Sequence, residues 1–319
     1  MRKQFIHDKT FNLVHQQLTQ DNNRGNVHSQ ADNPDCLPKP VCYYAFYTFF
    51  LEATVRIIVP IKQVPETSNV KMDPVTGTVI RAGVETVVNP LDLYALETAL
   101  RLQEQHGGIV TAITMGPPPA VKALKEAVAM GCDDAVLVSD RKFGGSDTWA
   151  TSYTLAQAVR KLGAYDLIIA GERATDGDTA QVGPGIASWL DIPIATYVAR
   201  IGTLAEGRLT LERLVEEGYQ QLSVPLPALL TVVKEIGVPR LPTLRGKKAA
   251  KQLDIPVFNA ENMELDPSFL GLKGSPTKVV KIDAPKVTRG GRTVQAGDDE
   301  AVSAAVGQLL GFLEEKGLV

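Results

Sequence analysis

LIIAGERATDGDTAQVGPGIASWLDIP, residues Leu167–Pro193, is the stretch whose reading decides the fold. It opens on four apolar residues, Leu167–Ala170, the pattern of a short buried strand, and passes into a loop dense in Gly, Asp and Thr. Val182, Ile186, Trp189 and Leu190 then recur at helical spacing, which predicts a helix with one apolar face. A buried strand feeding a small-residue loop and a helix N-terminus makes an anion cradle. Backbone N–H groups converge there, the helix dipole favours negative charge, and glycines let a ligand approach the main chain.

Working outward, VRIIVPIK (Val55–Lys62), GIVTAITMG (Gly108–Gly116) and AVLVSD (Ala135–Asp140) read as further buried strands, and MDPVTGTVIR (Met72–Arg81) as a small hairpin. Asn89-Pro90 predicts a helix start, with Asn89 as N-cap and Pro90 at the first position. Leu91, Leu93, Ala95, Leu96, Ala99, Leu100 and Leu102 supply its buried side. Pro117–Met130, ended by Gly131, and Thr148–Leu162, capped by Ser146 or Asp147 and closed by Gly163, read as the next helices. Strands alternating with helices through short loops predict an α/β fold: a doubly wound parallel sheet, Rossmann-like, in three layers with right-handed crossovers. Such sheets bind ligands beyond the carboxyl ends of their strands. That rule nominates Pro60, Ile61, Lys62 and Gln63 together with Asn89, then Thr114, Met115 and Gly116, then Gly171 to Gly183.

After Pro193 the runs IATYVARIG, GRLTLERLVE and ALLTVVKE read as antiparallel strands at one edge of the sheet. From Gly237 the chain is rich in Pro, Gly and Lys and reads as an extended arm. It ends in a helix capped by Asp298 or Asp299 and stopped at Gly317, with Val302, Ala305, Val306, Leu309, Leu310 and Leu313 on one face. An arm of this kind cannot bury its apolar face on its own backbone, so it is expected to wrap another chain. The expected organisation is an extension over 1–54, a nucleotide-binding domain over 55–236 and the arm over 237–319.

The extension is polar to Pro40 and reads as disordered. The aromatic run VCYYAFYTFFL (Val41–Leu51) is too short for a bilayer span, which needs about 20 residues. Of three readings, a surface anchor, a segment without a role, or a start codon placed upstream of a true start near Val55, the last is preferred.

Composition narrows the chemistry. The chain has 319 residues, 44% hydrophobic, with a net charge of -3, which offers no electrostatic attraction for nucleic acid or an anionic membrane. Cys36, Cys42 and Cys132 form no CxxC pair, which suits a reducing, cytoplasmic setting. His7, His15 and His28 lie in the extension, leaving His106 alone in the body of the protein, at a helix end where its charged form suits the dipole. A His-based triad, zinc site or general base is hard to build from that set. The chemistry must come from a bound group.

Five segments carry a resemblance: VPIKQVPET, RAGVETVVNPLDLYALETAL, ALKEAVAMG, GERATDGDTAQVGP and PRLPTLRGKKAAK. Together they resemble the beta subunit of electron transfer flavoproteins, from about Val55 to the end of the chain. The resemblance implies a heterodimer whose alpha subunit holds a FAD, while the beta subunit binds a second nucleotide. That nucleotide is AMP in housekeeping members, and in electron-bifurcating members a second FAD reduced by NADH, with electrons passing to the alpha-subunit flavin and its dehydrogenase and to ferredoxin or flavodoxin. AMP-type members carry a D-D-D-x-N-Q-T loop. Here the matching residues are Asp176, Gly177, Asp178, Thr179, Ala180, Gln181 and Val182, so the second acid is glycine and the residues flanking Gln181 are Ala180 and Val182. Smaller, less charged side chains leave room beside phosphates and remove one repulsive carboxylate. This form is similar to bifurcating and nitrogen-fixation-associated members.

The site, with Glu172, Thr175 and Gly183 inside the nominated range, is expected to take in Ala170 and Pro184 as well. Asp176 and Asp178 suit ribose hydroxyls or capping, and Asp178 with Gln181 is spaced as a capping box. Thr179 to Val182 would offer backbone N–H groups to a diphosphate, and Pro184 would open or kink the helix. PRLPTLRGKKAAK matches the recognition loop that reaches acyl-CoA dehydrogenases or other partners, with Arg240 in it, Leu244 at the anchoring leucine, and Lys247, Lys248 and Lys251 for charge steering. The competing readings are an AMP-binding carrier of the same family, a nucleotide sensor of the universal-stress type, and a GxGxxG dehydrogenase. The arm argues against the second, and the absence of that fingerprint after any strand against the third.

Overall fold

The computed structural model of the chain describes residues 54–66, 86–278, 280 and 293–319. The N-terminal extension with its aromatic run, and the hairpin expected over Met72–Arg81, lie outside the described residues. Strand β1 (Val55–Pro60) is central. Two short strands, β2 (Gln63–Pro65) and β3 (Thr86–Val88), pair antiparallel beside it and lead into α1 (Pro90–His106). Then follow β4 (Gly108–Met115), α2 (Val121–Met130), β5 (Asp134–Val138), α3 (Thr148–Leu162), β6 (Leu167–Gly171) and α4 (Val182–Leu190). Strands β7 (Ile194–Ala205), β8 (Arg208–Val215), β9 (Gly218–Pro225) and β10 (Ala228–Val232) complete this part.

The main sheet runs β11-β5-β4-β1-β6-β10-β7-β8-β9, where β11 is Val257–Phe258. All pairs from β11 to β7 are parallel; only β7–β8 and β8–β9 are antiparallel. The doubly wound sheet is therefore as expected, with one rearrangement. ALLTVVKE does not lie at the antiparallel edge: its β10 is inserted between β6 and β7 and parallel to both, with all five residues buried. Only β8 and the unforeseen β9 form the antiparallel edge.

Side chains alternate between two layers at the period of a strand. Ile57 and Val59 of β1, Val110 and Ala112 of β4, and Leu167 and Ile169 of β6 pack with Leu96 and Leu100 of α1 and Leu124 of α2. Ile58, Ile113 and Ile168 pack on the opposite face with Leu155 and Val159 of α3 and Ile186 of α4. Ile57, Leu96, Ile113, Leu167 and Ile168 are fully buried, each contributing about 1.5–3 kcal/mol relative to exposure. Because α1 covers one face and α4 the other, the connections from neighbouring β1 and β6 leave the sheet in opposite directions. That divergence opens a crevice at their carboxyl ends.

Local signals place the helix ends. Gly131 at φ 141° ends α2, donating its N–H to the carbonyls of Ala127 and Val128. Asp147, rather than Ser146, caps α3 by accepting from the Ala150 N–H, and Gly163 closes it. Asp298 caps the last helix, α7 (Asp299–Glu315), by accepting from Ala301 N–H. No residue of α7 is buried, and Val302, Val306, Leu309 and Leu310 stand about half exposed.

Beyond Gly237 the described residues form two short helices and a strand between Leu244 and Gly274. Thr243 caps α5 (Leu244–Gln252), which packs on α2: Gly246 allows close approach to the Ala129 carbonyl, and Thr243 N–H donates to it at 3.1 Å. Strand β11 then extends the sheet beside β5 before the short α6 (Gly271–Gly274).

Candidate functional site

The crevice is built from the ends of β1 and β6 and the start of α1. Ile61 N–H continues the ladder to the Ile113 carbonyl at 2.8 Å, which holds the chain extended past Pro60. Lys62 N–H donates to Asp92 Oδ2 at 2.7 Å, and Asn89 N–H to the Lys62 carbonyl at 2.8 Å. Asn89 occupies the N-cap position of α1 but makes no side-chain cap. Its amide instead reaches the loop after β6: Nδ2 donates to the Arg173 carbonyl at 2.9 Å, and Oδ1 accepts from Thr175 N–H at 3.1 Å. Across the mouth, Lys62 Nζ meets Asp176 Oδ1 at 2.6 Å. Lys62, Asn89, Arg173, Thr175 and Asp176 thus form one ring of contacts joining three of the nominated segments.

The loop itself has unusual backbone. Asp178 and Ala180 lie at φ 52° and 55°, in the left-handed region. Ala180 is followed by Gln181 at φ -104° and ψ -10°, and such pairs of left- and right-handed residues are the backbone of an anion nest. Asp178 N–H bonds the Ala174 carbonyl, whereas those of Thr179, Ala180, Gln181, Val182 and Gly183 find no acceptor among the described residues. Helix α4 begins at Val182 with Gln181 as N-cap, so the expected capping box of Asp178 and Gln181 does not form. Asp178 lies three residues upstream of the cap, and its carboxylate faces Arg173 at 3.2 Å. Nor does Pro184 kink the helix. It is the third helical residue, where no N–H donor is needed, and Gly185 N–H closes the turn on the Gln181 carbonyl at 2.9 Å.

Glycines set the spacing. A Cβ on Gly183 would lie 2.8 Å from Thr231 Cγ2, and one on Gly185 2.5 Å from Ser152 Oγ, so both let α4 seat tightly on β10 and α3. A Cβ on Gly171 would collide with the Asp92 carboxylate and lie 2.9 Å from the Leu91 carbonyl. Gly177 is different: its missing Cβ would meet only Lys62 Nζ, at 3.9 Å, so the loop is open there.

At the end of β4, Thr114 is 1% exposed and its hydroxyl finds no partner among the described residues, an orphaned polar atom beside the crevice. Met115 is half-buried, and Gly116 N–H bonds the Val138 carbonyl at 3.0 Å. Glu172 N–H bonds the Val232 carbonyl at 3.1 Å, extending β6 along β10, and its carboxylate lies 3.4 Å from Arg173. Ala170 is buried.

Reading by sequence missed Asp92. Asp92 is 6% exposed, and burial pushes its carboxyl up to about 7, against the hydrogen bond from Lys62 N–H that favours the ion. Its signal was a lone acid between Leu91 and Leu93 in an apolar stripe. Among the described residues His106 ends α1, about 21 Å from Asp92 at 1.5 Å per residue, too far to act in the crevice. A helix N-terminus, unused N–H donors, a lysine and an orphaned hydroxyl, without a nucleophile or histidine, suit the holding of an anionic nucleotide.

Similarity to known proteins gives the family. An electron transfer flavoprotein domain family model matches residues 76–263. The chain belongs to the electron transfer flavoprotein family. An electron transfer flavoprotein subunit beta of Thermoanaerobacterium thermosaccharolyticum is 47% identical over 256 residues, 80% of this chain and 98% of the relative. The caffeyl-CoA reductase-Etf complex subunit CarD of Acetobacterium woodii is 44% identical over 266 residues, 83% of this chain and all of the relative. Protein FixA of Azorhizobium caulinodans is 45% identical over 238 residues, 72% and 85% of the two chains.

The segment that the family resemblance assigns to partner recognition divides in two. Arg240 is fastened to the chain's own α1: its Nε donates to Glu97 at 2.7 Å and its Nη1 to Glu104 at 2.5 Å. Leu244, at the start of α5, is 88% exposed, and Leu241 beside it 84%.

Proposed function

We propose that this electron transfer flavoprotein beta subunit binds a FAD in the crevice between β1 and β6 and takes part in electron bifurcation from NADH. The observation that carries the reading is the loop Asp176–Val182, with its unused N–H donors and with Gly177, Ala180 and Val182 in place of bulkier polar residues. Thr179 to Gly183 would hold the diphosphate with backbone N–H groups at the start of α4, and Lys62 would supply a positive charge. Asn89 and Asp92 position the loop, while Asp176 and Asp178 suit ribose hydroxyls. A bound flavin would supply the redox chemistry, hydride acceptance from NADH and single-electron transfer to the alpha-subunit flavin and to ferredoxin or flavodoxin.

The names of relatives support the setting: one is a subunit of a caffeyl-CoA reductase-Etf complex, another an electron transfer subunit of an acryloyl-CoA reductase. On this reading the partners are an alpha subunit, covered by the apolar face of α7, and an acyl-CoA dehydrogenase-type enzyme that docks at Leu244. Co-expression with the alpha subunit and a count of cofactors tests it. Two FAD per heterodimer are expected, with flavin absorbance bleached by NADH. One FAD and one AMP would instead establish the AMP-type carrier.

A further inference from the structure

A buried carboxylate that no part of the proposed electron path uses stands behind the loop. Asp92 is the third residue of α1, 6% exposed, and touches all three walls of the crevice. Its Oδ2 accepts from Lys62 N–H at 2.7 Å at the end of β1. Its Oδ1 faces Gly171 Cα at the end of β6, where any side chain would collide with it. Asn89, three residues before it, accepts the Asp92 N–H on its carbonyl at 2.9 Å and grips Arg173 and Thr175 of the loop with its side chain. The charged groups that face it are Lys62 from β1 and Asp176 from the loop, and those two bond each other at 2.6 Å.

We propose that Asp92 is a positioning residue that ties the loop to β1, and that it takes up a proton when a nucleotide's phosphates enter the crevice. The inference rests on the nucleotide reading of this site. Phosphates add negative charge near a carboxylate already removed from water, and they draw Lys62 away from Asp176, so the ionised form of Asp92 loses favour. Burial already holds its carboxyl at about 7 without a ligand, so the uptake falls near neutrality. The proton comes from solvent and returns there when the nucleotide leaves. Protonated, Asp92 still accepts from Lys62 N–H through one oxygen, so the wall stays assembled while its charge is gone.

The sign follows from linkage. A group whose affinity for protons rises on binding makes the ligand bind tighter at lower pH. Nucleotide affinity is therefore flat below about pH 7 and falls up to tenfold per pH unit above it. The test uses the full chain in complex with its alpha subunit, titrated calorimetrically with FAD and with AMP between pH 6 and 8.5. Two buffers of different ionisation enthalpy report proton uptake. Wild type is compared with Asp92→Asn, so the ligand's own titration and groups in the alpha subunit cancel. The expected result is net proton uptake per nucleotide at pH 8 by wild type that Asp92→Asn lacks, with an affinity in the variant that no longer falls as the pH rises. Equal proton uptake by both, or none by wild type, overturns the proposal and leaves the nucleotide site standing. Failure of both ligands to bind wild type at any pH overturns the nucleotide reading along with it. Wild-type uptake is read without the variant, so a folding defect in Asp92→Asn does not spare the proposal.

Discussion

Replacing Arg240 with alanine tests what holds the recognition segment to the sheet. Glu97 lies on α1 with its carboxylate 6% exposed, and it accepts from Arg240 Nε at 2.7 Å, Arg240 N–H at 3.0 Å and Arg101 Nε at 2.6 Å. The Arg240 guanidinium also spans to Glu104 at 2.5 and 3.1 Å. Burial alone would raise the Glu97 carboxyl, but the hydrogen bonds from Arg240 outweigh it and hold the group below the usual carboxylate value of 4.5. Removing one partner of a buried pair costs about 3–5 kcal/mol. Here Arg101 and the backbone N–H of residue 240 remain, and Arg240 is 29% exposed, so a loss of about 2–3 kcal/mol is expected. Val55–Val319 gains about 2.1 cal/mol/K of entropy per residue on unfolding, so Tm falls by about 4–5 °C. Because the folded carboxyl is depressed, its contribution is full above the unfolded value and lost as pH falls through the folded one. The gap between wild type and Arg240→Ala is therefore complete at pH 7 and closes in acid, as followed by thermal melts at several pH values. A Tm within 1 °C of wild type at pH 7 refutes the assignment of Arg240 as the anchor.

Other consequences are open to direct measurement. Gly171→Ala drives a methyl into Asp92 and Leu91, so overpacking of about 1–3 kcal/mol and loss of nucleotide from the purified complex are expected, read by denaturant melts and cofactor release. The triple change Gly177→Asp, Ala180→Asn and Val182→Thr rebuilds the AMP-type loop. The open space at Gly177 accommodates its carboxylate, so stability stays within about 1 kcal/mol of wild type while bound FAD gives way to AMP. Leu244→Ala, at 88% exposure, leaves Tm unchanged and lowers the electron-transfer rate to the partner dehydrogenase at least about tenfold in stopped-flow assays.

The parts of the fold that follow from local chemistry were legible: glycine-ended helices, Asp147 and Asp298 as caps, and strands whose runs are wholly apolar. The placement of β10 was legible too, from a signal that was available and misread. ALLTV is apolar without alternation and all five residues are buried, the pattern of a strand covered on both faces. LTLERL in β8 alternates, with Leu209 and Leu211 buried and Thr210 exposed, the pattern of a strand covered on one. What could not be read locally is concentrated in the crevice. Asn89 has the composition and spacing of an N-cap, and Asp178 with Gln181 those of a capping box, yet neither makes its local bond. Both sit where neighbouring strands send their connections to opposite faces of the sheet. There Asn89 holds Arg173 and Thr175 of the loop after β6, and Lys62, just past β1, holds Asp176, each across a long stretch of sequence. The N–H groups that local capping would have satisfied are left open instead, at Thr179 to Gly183, toward the space where the phosphates of a nucleotide are proposed to lie. Local capping fails here because Asn89 is taken by a distant segment and Asp178 by Arg173 of its own loop, and those failures fall at the donors a nucleotide would use.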